Sequence, residues 1–204
     1  MIDAHFLHAI GDAVTGTPSA PVADRTAERL LDAAVLEAAA VGLRRVTVED
    51  VVRRAGVSRM TAYRRYPRRD DLVHALISRE TQRFLGAVAD AIESSADARH
   101  GVAEAFIAAV TFTREHPMLR RAGQLDPMPV PEAADLIDMG KTFIANYIQG
   151  DSPSQQARWV ADVFARMFFT YISMPPHDPD VRDDAALRLF AEQVLTPMVD
   201  RAVT

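Results

Sequence analysis

The chain has 204 residues, of which 49 % are hydrophobic and 25 % charged, and it carries a net charge of −5 at pH 7. This hydrophobic fraction can build a core and excludes a disordered chain, while the absence of cysteine excludes a disulfide scaffold and thiol chemistry. No stretch approaches the length of a membrane span, and residues 1–14 contain no Lys or Arg, so we expect a cytoplasmic protein without membrane contact or signal peptide.

The N-terminal arm, residues 1–23, precedes the first strongly periodic segment. Apolar residues recur in it every four positions, which is compatible with a short amphipathic helix and equally with a frayed terminus: Ile2, Phe6, Ile10 and Val14. The arm has no Lys or Arg. We therefore expect no strong phosphate contact from it.

Helical periodicity begins at about residue 24 and continues almost throughout the chain. The first helix is predicted over 24–41, with Gly42 as its stop. Thr47 is the expected N-cap of a short second helix, which ends near Ala55 before a glycine. Ser58 is the expected cap of a third, over 59–65.

A fourth, long helix is predicted to open after Pro67 and to reach about Glu93. Further helices are predicted over 102–115, 131–149, 154–173 and 183–202, and Pro197 is expected to bend or fray the last of them. No strand is predicted. The fold class is therefore all-α.

Charge is distributed unevenly along this chain. Between Arg44 and Arg69 there are nine arginines and only two acids, Glu49 and Asp50, so this segment carries +7 and the remainder −12. A compact basic segment in an acidic chain is typical of a surface that binds a polyanion. Charge alone leaves a second interpretation open, a solvated arginine-rich surface.

The basic segment coincides with two short helices joined by Ala55-Gly56-Val57, in which glycine suits the sharp turn. The second of these helices is too short and too basic to be explained by burial. Its outward face offers residue types that hold phosphates and read base edges: Arg59, Thr61, Tyr63 and Arg64.

At this point the sequence resembles a known family. An alanine-rich first helix is followed by a set of signature positions that is similar to the head of the TetR family over about residues 24–76: Gly42, Thr47, Ala55-Gly56-Val57-Ser58, Thr61, Tyr63, Tyr66-Pro67 and a basic residue before Asp70-Asp71-Leu72. The sequence departs from the family pattern at Ala62, where the family usually has Leu, and at Arg69, where it usually has Lys.

The resemblance implies an N-terminal helix-turn-helix head of three helices and a helical-bundle body that binds an effector and dimerises. The domains would be the arm 1–23, the DNA-binding head 24–76 and the body 77–204. The implied function is transcriptional regulation, most often repression, with release from an inverted-repeat operator by a small molecule. The implied partners are a double-stranded DNA operator, a second copy of the chain and an unidentified effector, with no cofactor.

The resemblance also assigns residues of the head to DNA contacts. It makes the segment from Ser58 to Arg65 the recognition helix. Positions that contact the DNA backbone in the family are occupied by Thr47, Ser58, Thr61, Tyr63 and Arg69. Positions that face the bases are occupied by Arg59, Met60 and Arg64.

In the body, large apolar residues at helical spacing are candidates for an effector pocket or a dimer interface, and ordinary core is the alternative at each position. The candidate pocket residues are Phe106, Val110, Phe112, Met139, Phe143, Tyr147, Phe164 and Phe168, with His116, Gln124 and Asn146 as polar groups. The candidate interface residues are Trp159, Val163, Met167, Tyr171, Leu187, Phe190 and Val194.

Two other classes of function were weighed. A helical-bundle enzyme or ligand carrier is disfavoured, because the six histidines show no metal-site spacing and no catalytic set of residues can be proposed. We therefore expect no enzyme, no catalytic residue and no metal. A regulator without a small-molecule effector, or an activator, has the same sequence signature, so this alternative stays open.

Overall fold

The computed structural model describes residues 24–120, 130–150, 152–173 and 183–203. All regular structure in these ranges is helical, so the all-α prediction is confirmed. The predictions for the arm 1–23 and for Gln124 lie outside the described residues.

The helices follow the predicted order. Their bounds are α1 Arg25–Val41, α2 Val48–Ala55, α3 Arg59–Arg65, α4 Arg69–Glu93, α5 Ala98–Glu115, α6 Val130–Gln149, α7 Gln155–Ser173, α8 Asp184–Phe190 and α9 Thr196–Val203. A short 3-10 turn, Leu43–Arg45, which the periodicity did not predict, lies between α1 and α2.

The helix ends in the head are set by Thr47 and Gly56, which the sequence singled out, and by Asp24, which it did not. The side chain of Asp24 accepts hydrogen bonds from the backbone N–H of Thr26 and Ala27, and Thr47 accepts one from Asp50 N–H at the start of α2. Gly56 ends α2 with φ of 62°, a left-handed conformation that costs glycine little. The chain can therefore turn sharply between α2 and α3.

The described residues form two compact units, each with its own core. Of the described residues, the first comprises 24–83 together with 116–120. Its largest fully buried side chains come from α1, α2, α4 and the turn before α2: Leu30, Val46, Val51, Leu72 and Leu76. Ala62, the departure from the family pattern, lies in this core at 1 % exposure and anchors α3 with Tyr66.

A buried ionic cluster reinforces the first unit. The guanidinium of Arg79 donates to Glu28 and Asp32 of α1, at 2.9 Å in both cases. The neighbouring Glu80 is 4 % exposed, and one of its carboxylate oxygens lies 3.0 Å from Nε2 of His116. Burial raises the pKa of Glu80, but the bond with His116 and the charge of Arg79 outweigh it and lower the pKa overall. The cluster thus ties α1 to α4.

Of the described residues, the second unit comprises 84–115, 130–150, 152–173 and 183–203. Its core joins α5, α7 and the last helices, with Phe164, Leu187, Leu195 and Val199 almost fully buried. Aromatic rings contact one another through it, Phe106 being edge-on to both Phe164 and Tyr171. Large apolar residues at helical spacing therefore build this core.

The last helix is interrupted as Pro197 led us to expect. A π-helical segment, Ala191–Leu195, separates α8 from α9, and the backbone N–H of Thr196 donates to the carbonyl of Ala191 five residues earlier. Proline has no N–H and its ring crowds the preceding turn, so a wider turn before it relieves the conflict. The helix accordingly changes its winding and continues to Val203.

Candidate nucleic-acid interface

The predicted recognition helix is α3, and its first turn is held by Ser58. The hydroxyl of Ser58 accepts from the backbone N–H of Thr61 at 3.2 Å and lies 2.8 Å from the Thr61 hydroxyl. Ala62 and Tyr66 point into the core, and Val57 packs against it. This anchoring leaves the opposite face of α3 open to solvent.

The open face presents the side chains that the sequence assigned to base reading. Met60 is 84 % exposed, and Arg59 and Arg64 are also exposed. No ion pair within the described part of the chain involves the guanidinium of Arg59 or Arg64. Both groups are available to an anion or to a base edge.

The residues assigned to backbone contacts already have partners within the head. The Thr47 hydroxyl donates to the Asp50 carboxylate at 2.6 Å, and Asp50 also accepts from Arg53. These two hydrogen bonds lower the pKa of Asp50. The Tyr63 hydroxyl donates to the carboxylate of Glu49, which spacing along the chain did not predict.

Arg69 is half-buried and its guanidinium binds the backbone before α2. It donates to the carbonyls of Val46 at 2.9 Å, Leu43 at 2.9 Å and Arg44 at 3.1 Å. It also lies 3.2 Å from the Asp70 carboxylate. The structure thus gives Arg69 an anchoring role, and its contact with DNA stays a prediction.

A small cleft next to the recognition helix adds residues that the sequence reasoning did not select. It encloses about 220 Å³ and is lined by Asp24, Thr26, Thr61, Arg64 and Arg65. Arg65 lies 3.7 Å from Asp24, the N-cap of α1. The sequence signal was the basic doublet of residues 64–65, but only the tertiary contact between α1 and α3 brings Arg65 to this cleft.

Most of the candidate pocket residues lie together in the core of the second unit. Phe106, Val110 and Phe164 are buried there, with Tyr147 and Phe168 packed against them. Phe84 was not selected, yet its ring stacks on Phe168 and meets Phe112 edge-on.

Three predicted pocket residues lie outside this core, the first being Phe112, which meets Phe84 edge-on. Phe143 is 45 % exposed on α6, so its assignment to an interior pocket is wrong, and the half-buried Met139 does not belong to the cluster either. Asn146 is exposed, and His116 is occupied by Glu80 in the first unit. These corrections share one cause: periodicity marks an apolar residue but does not say which neighbour covers it.

The candidate interface residues divide into three groups by exposure. Trp159, Val163 and Val194 are 65 %, 44 % and 44 % exposed, and Leu189, which was not selected, is 53 % exposed. Half-buried residues that pack on the core are Met167, Tyr171 and Phe190. Leu187 is fully buried within its own chain, so its assignment to the interface is wrong.

Within the described ranges, His, Asp and Glu side chains form no group of three that could hold a metal ion. No helix in those ranges is long and apolar enough to cross a membrane.

A family model matches the part of the chain that was predicted to be the DNA-binding head. Residues 30–76 match the family model described as bacterial regulatory proteins, tetR family. The search of curated proteins found no match to this sequence. The family match covers α1 to the first turns of α4, the part of the chain that holds the recognition helix.

Solved structures extend the likeness to the fold of the whole chain. A TetR-like transcriptional regulator from a Rhodococcus species has a TM-score of 0.61 at 20 % identity, over 86 % of this chain and 94 % of that one. The TetR family repressor AlkX from a Dietzia species has a TM-score of 0.53 at 23 % identity, over 86 % and 98 %. The ketosteroid transcriptional regulator KstR2 of Mycobacterium tuberculosis has a TM-score of 0.55 at 17 % identity, over 90 % and 97 %.

At these identities the likeness to solved structures shows the fold, while the family match shows the DNA-binding head. The matched family consists of regulators of transcription and not of enzymes. Residues 30–76 therefore form a DNA-binding helix-turn-helix head of the tetR family of bacterial regulatory proteins, and the all-helical body has the fold of the TetR-like regulators.

Proposed function

We propose that this protein is a dimeric repressor that binds an inverted-repeat operator and leaves it when a small apolar molecule enters the body. The observation that carries the proposal is the solvent-facing side of α3, where Arg59, Met60 and Arg64 are exposed within a segment of net charge +7. A short basic helix of this kind fits the major groove of DNA.

Exposed apolar side chains of the second unit support a dimer. Trp159 and Val163 lie one turn apart on α7, while Leu189 and Val194 lie on the last helices, all at least 44 % exposed. Large apolar groups left in water favour association with another surface. Two recognition helices related by a two-fold axis would read an inverted repeat.

The aromatic core of the second unit supports an apolar effector. The ring of Phe84 contacts those of Phe112 and Phe168, and the ring of Phe106 contacts that of Phe164. The similar structures include AlkX, described as implicated in biodegradation of n-alkanes, and KstR2, described as a ketosteroid regulator. An apolar ligand entering between these rings would displace side chains and not hydrogen bonds.

The test begins with selection of DNA from a random duplex pool by the full-length protein. We expect a two-fold symmetric consensus, bound by two chains per duplex in sedimentation. Recovery of unsymmetric or unenriched DNA would contradict the operator model. The consensus also locates the regulated genes, whose transcription should rise when the protein's gene is deleted.

The effector is tested separately with the selected duplex. Long-chain acyl and steroid compounds are titrated into the protein–DNA complex, and we expect one class to release the DNA and raise the melting temperature of the protein. Transcription that falls on gene deletion would instead identify an activator, and no release by either class would favour a regulator without such an effector.

A further inference from the structure

The DNA-facing side of the head contains a carboxylate that the proposed function does not use. Glu49 lies in the first turn of α2 and is exposed. It is one of only two acids between Arg44 and Arg69, and the other, Asp50, is engaged by Thr47 and Arg53. A negative charge at this place opposes the binding of a polyanion, so its presence needs an explanation.

The explanation lies in the partner of Glu49. The hydroxyl of Tyr63, on α3, donates a hydrogen bond to the Glu49 carboxylate across the helix-turn-helix. This bond lowers the pKa of Glu49 and raises the pKa of Tyr63, and the nearby charge of Arg59 stabilises the carboxylate further. The ionised carboxylate therefore faces two residues expected to contact DNA.

We propose that Glu49 is an intramolecular competitor of the DNA phosphate for the hydroxyl of Tyr63. The inference rests on the proposed function, because it takes Tyr63 as a backbone contact. A carboxylate and a phosphate are both anionic oxygen acceptors, and a phenol has a single O–H to donate. The hydroxyl cannot serve both, so phosphate binding requires the bond with Glu49 to break.

Through this competition Glu49 sets the affinity of the protein for DNA but does not contribute to its preference for a base sequence. The exchange of acceptor has the same cost on any DNA, because every duplex presents the same phosphates. Glu49 thereby lowers binding to operator and to random DNA by a common factor. The alternative is a scaffold, in which Glu49 orients Tyr63 and holds α3 against α2 in the bound state.

The two roles predict opposite effects of the same substitution. Glu49→Gln keeps the shape of the side chain but replaces an anionic acceptor by a neutral one. If Glu49 competes with phosphate, the variant binds operator and scrambled duplex about five-fold more tightly, the size of one net hydrogen bond. If Glu49 is a scaffold, binding becomes weaker.

The experiment is a double-mutant cycle read by fluorescence anisotropy. Wild type, Glu49→Gln, Tyr63→Phe and the double variant are titrated with the selected operator and with its scrambled version at several salt concentrations. In the Tyr63→Phe background the gain from Glu49→Gln should fall to about two-fold or less, the residual effect of charge alone. Glu49→Ala, which removes the acceptor, should change affinity in the same direction.

The outcomes separate this inference from the proposed function. Failure of the wild-type protein to bind any duplex overturns the proposed function. Binding by wild type with an unchanged or lower affinity of Glu49→Gln overturns the competition. An equal gain in both backgrounds also overturns it, because the effect would then come from charge and not from the Tyr63 hydroxyl.

Discussion

Arg59 and Arg64 are exposed on α3 and, unlike Arg53, Arg54 and Arg65, have no ion pair in the described structure. Arg53 and Arg54 are bound to Asp50 and Glu37, and Arg69 is bound to backbone carbonyls. A net charge of +7 thus exaggerates the number of cations available for reading bases. The residues to test first are those of α3.

We expect Arg59→Ala to weaken operator binding by about 1–3 kcal/mol and to relax sequence preference at one position of each half-site. Arg59 lies in the first turn of α3, where side chains enter the groove. Binding is measured on operator and scrambled duplexes over a range of salt concentrations. Equal losses on both duplexes would identify a phosphate contact. The paired Arg53→Ala is the matched control.

In the buried ionic cluster of the first unit, Glu80 provides a pH-dependent contribution to stability. Its pKa is lowered in the folded state from the ordinary value of 4.5, so the ionised carboxylate favours folding above that pH. This contribution is lost as the pH falls through the folded-state pKa. We expect Glu80→Gln to cost about 3 kcal/mol at neutral pH. Below pH 4.5 the difference from wild type should shrink.

Urea unfolding at neutral and acidic pH measures this difference, with the exposed Glu93→Gln as control. A Glu80→Gln variant that is as stable as wild type at neutral pH would contradict the structural role of the cluster. A constant difference at every pH would show that the loss comes from packing and not from ionisation.

At the scale of the elements, the glycines show where the backbone conformation matters. Gly56 has φ of 62°, and a Cβ there would meet its nearest atom, on Arg29, at an ordinary 3.7 Å. Gly86 lies within α4 with nothing within 4 Å of a Cβ. The same substitution therefore removes glycine from a left-handed turn in one case and from an ordinary helix in the other.

We expect Gly56→Ala to destabilise the protein by about 1 kcal/mol, because an L residue is strained in the left-handed region. Gly86→Ala should stabilise it by about 0.5–1 kcal/mol through helix propensity. Denaturant unfolding of the two variants checks the contrast. Equal effects of the same sign would show that the turn between α2 and α3 does not require its glycine.

Helix bounds were predicted well where capping residues and prolines mark them. Thr47 and Ser58 cap their helices as their side-chain chemistry indicated, Asp24 is the N-cap and not the first residue of α1, and α6 starts within one residue of the prediction. The start of α5, at Ala98 and not at Val102, was missed, although Asp97 marks it as an N-cap by accepting from the backbone N–H of His100 at 3.0 Å. The π segment before Pro197 was predicted only as a bend.

At the scale of the whole molecule, the proposed dimer places the exposed face of α7 at its interface. Trp159 is 65 % exposed in the single chain, so a charge there does not disturb its core. We expect Trp159→Glu to keep the helical spectrum and melting behaviour of a folded chain and to sediment as a monomer. Its operator binding should weaken with the loss of the second half-site contact.

Phe143→Glu is the matched control, since Phe143 is also an exposed aromatic residue but lies on α6. A dimer that survives Trp159→Glu and is lost in Phe143→Glu would move the interface to α6. Phe168 is unsuitable for this test. Its ring packs on the core and stacks on Phe84, so a charge there would unfold the chain.

The sequence by itself determined the helical class, the caps Thr47 and Ser58 of the head, the turn at Gly56 and the exposed basic face of α3. These features depend on neighbouring residues, on periodicity and on local hydrogen bonds, all of which follow from residues close together in the sequence. The tertiary structure alone decided that Tyr63 binds Glu49, that Arg69 holds the turn before α2 and that Leu187 is buried. Each of these contacts depends on which residue, distant in the sequence, lies next to the side chain in the fold. The type of a residue and its spacing along the sequence do not specify that neighbour.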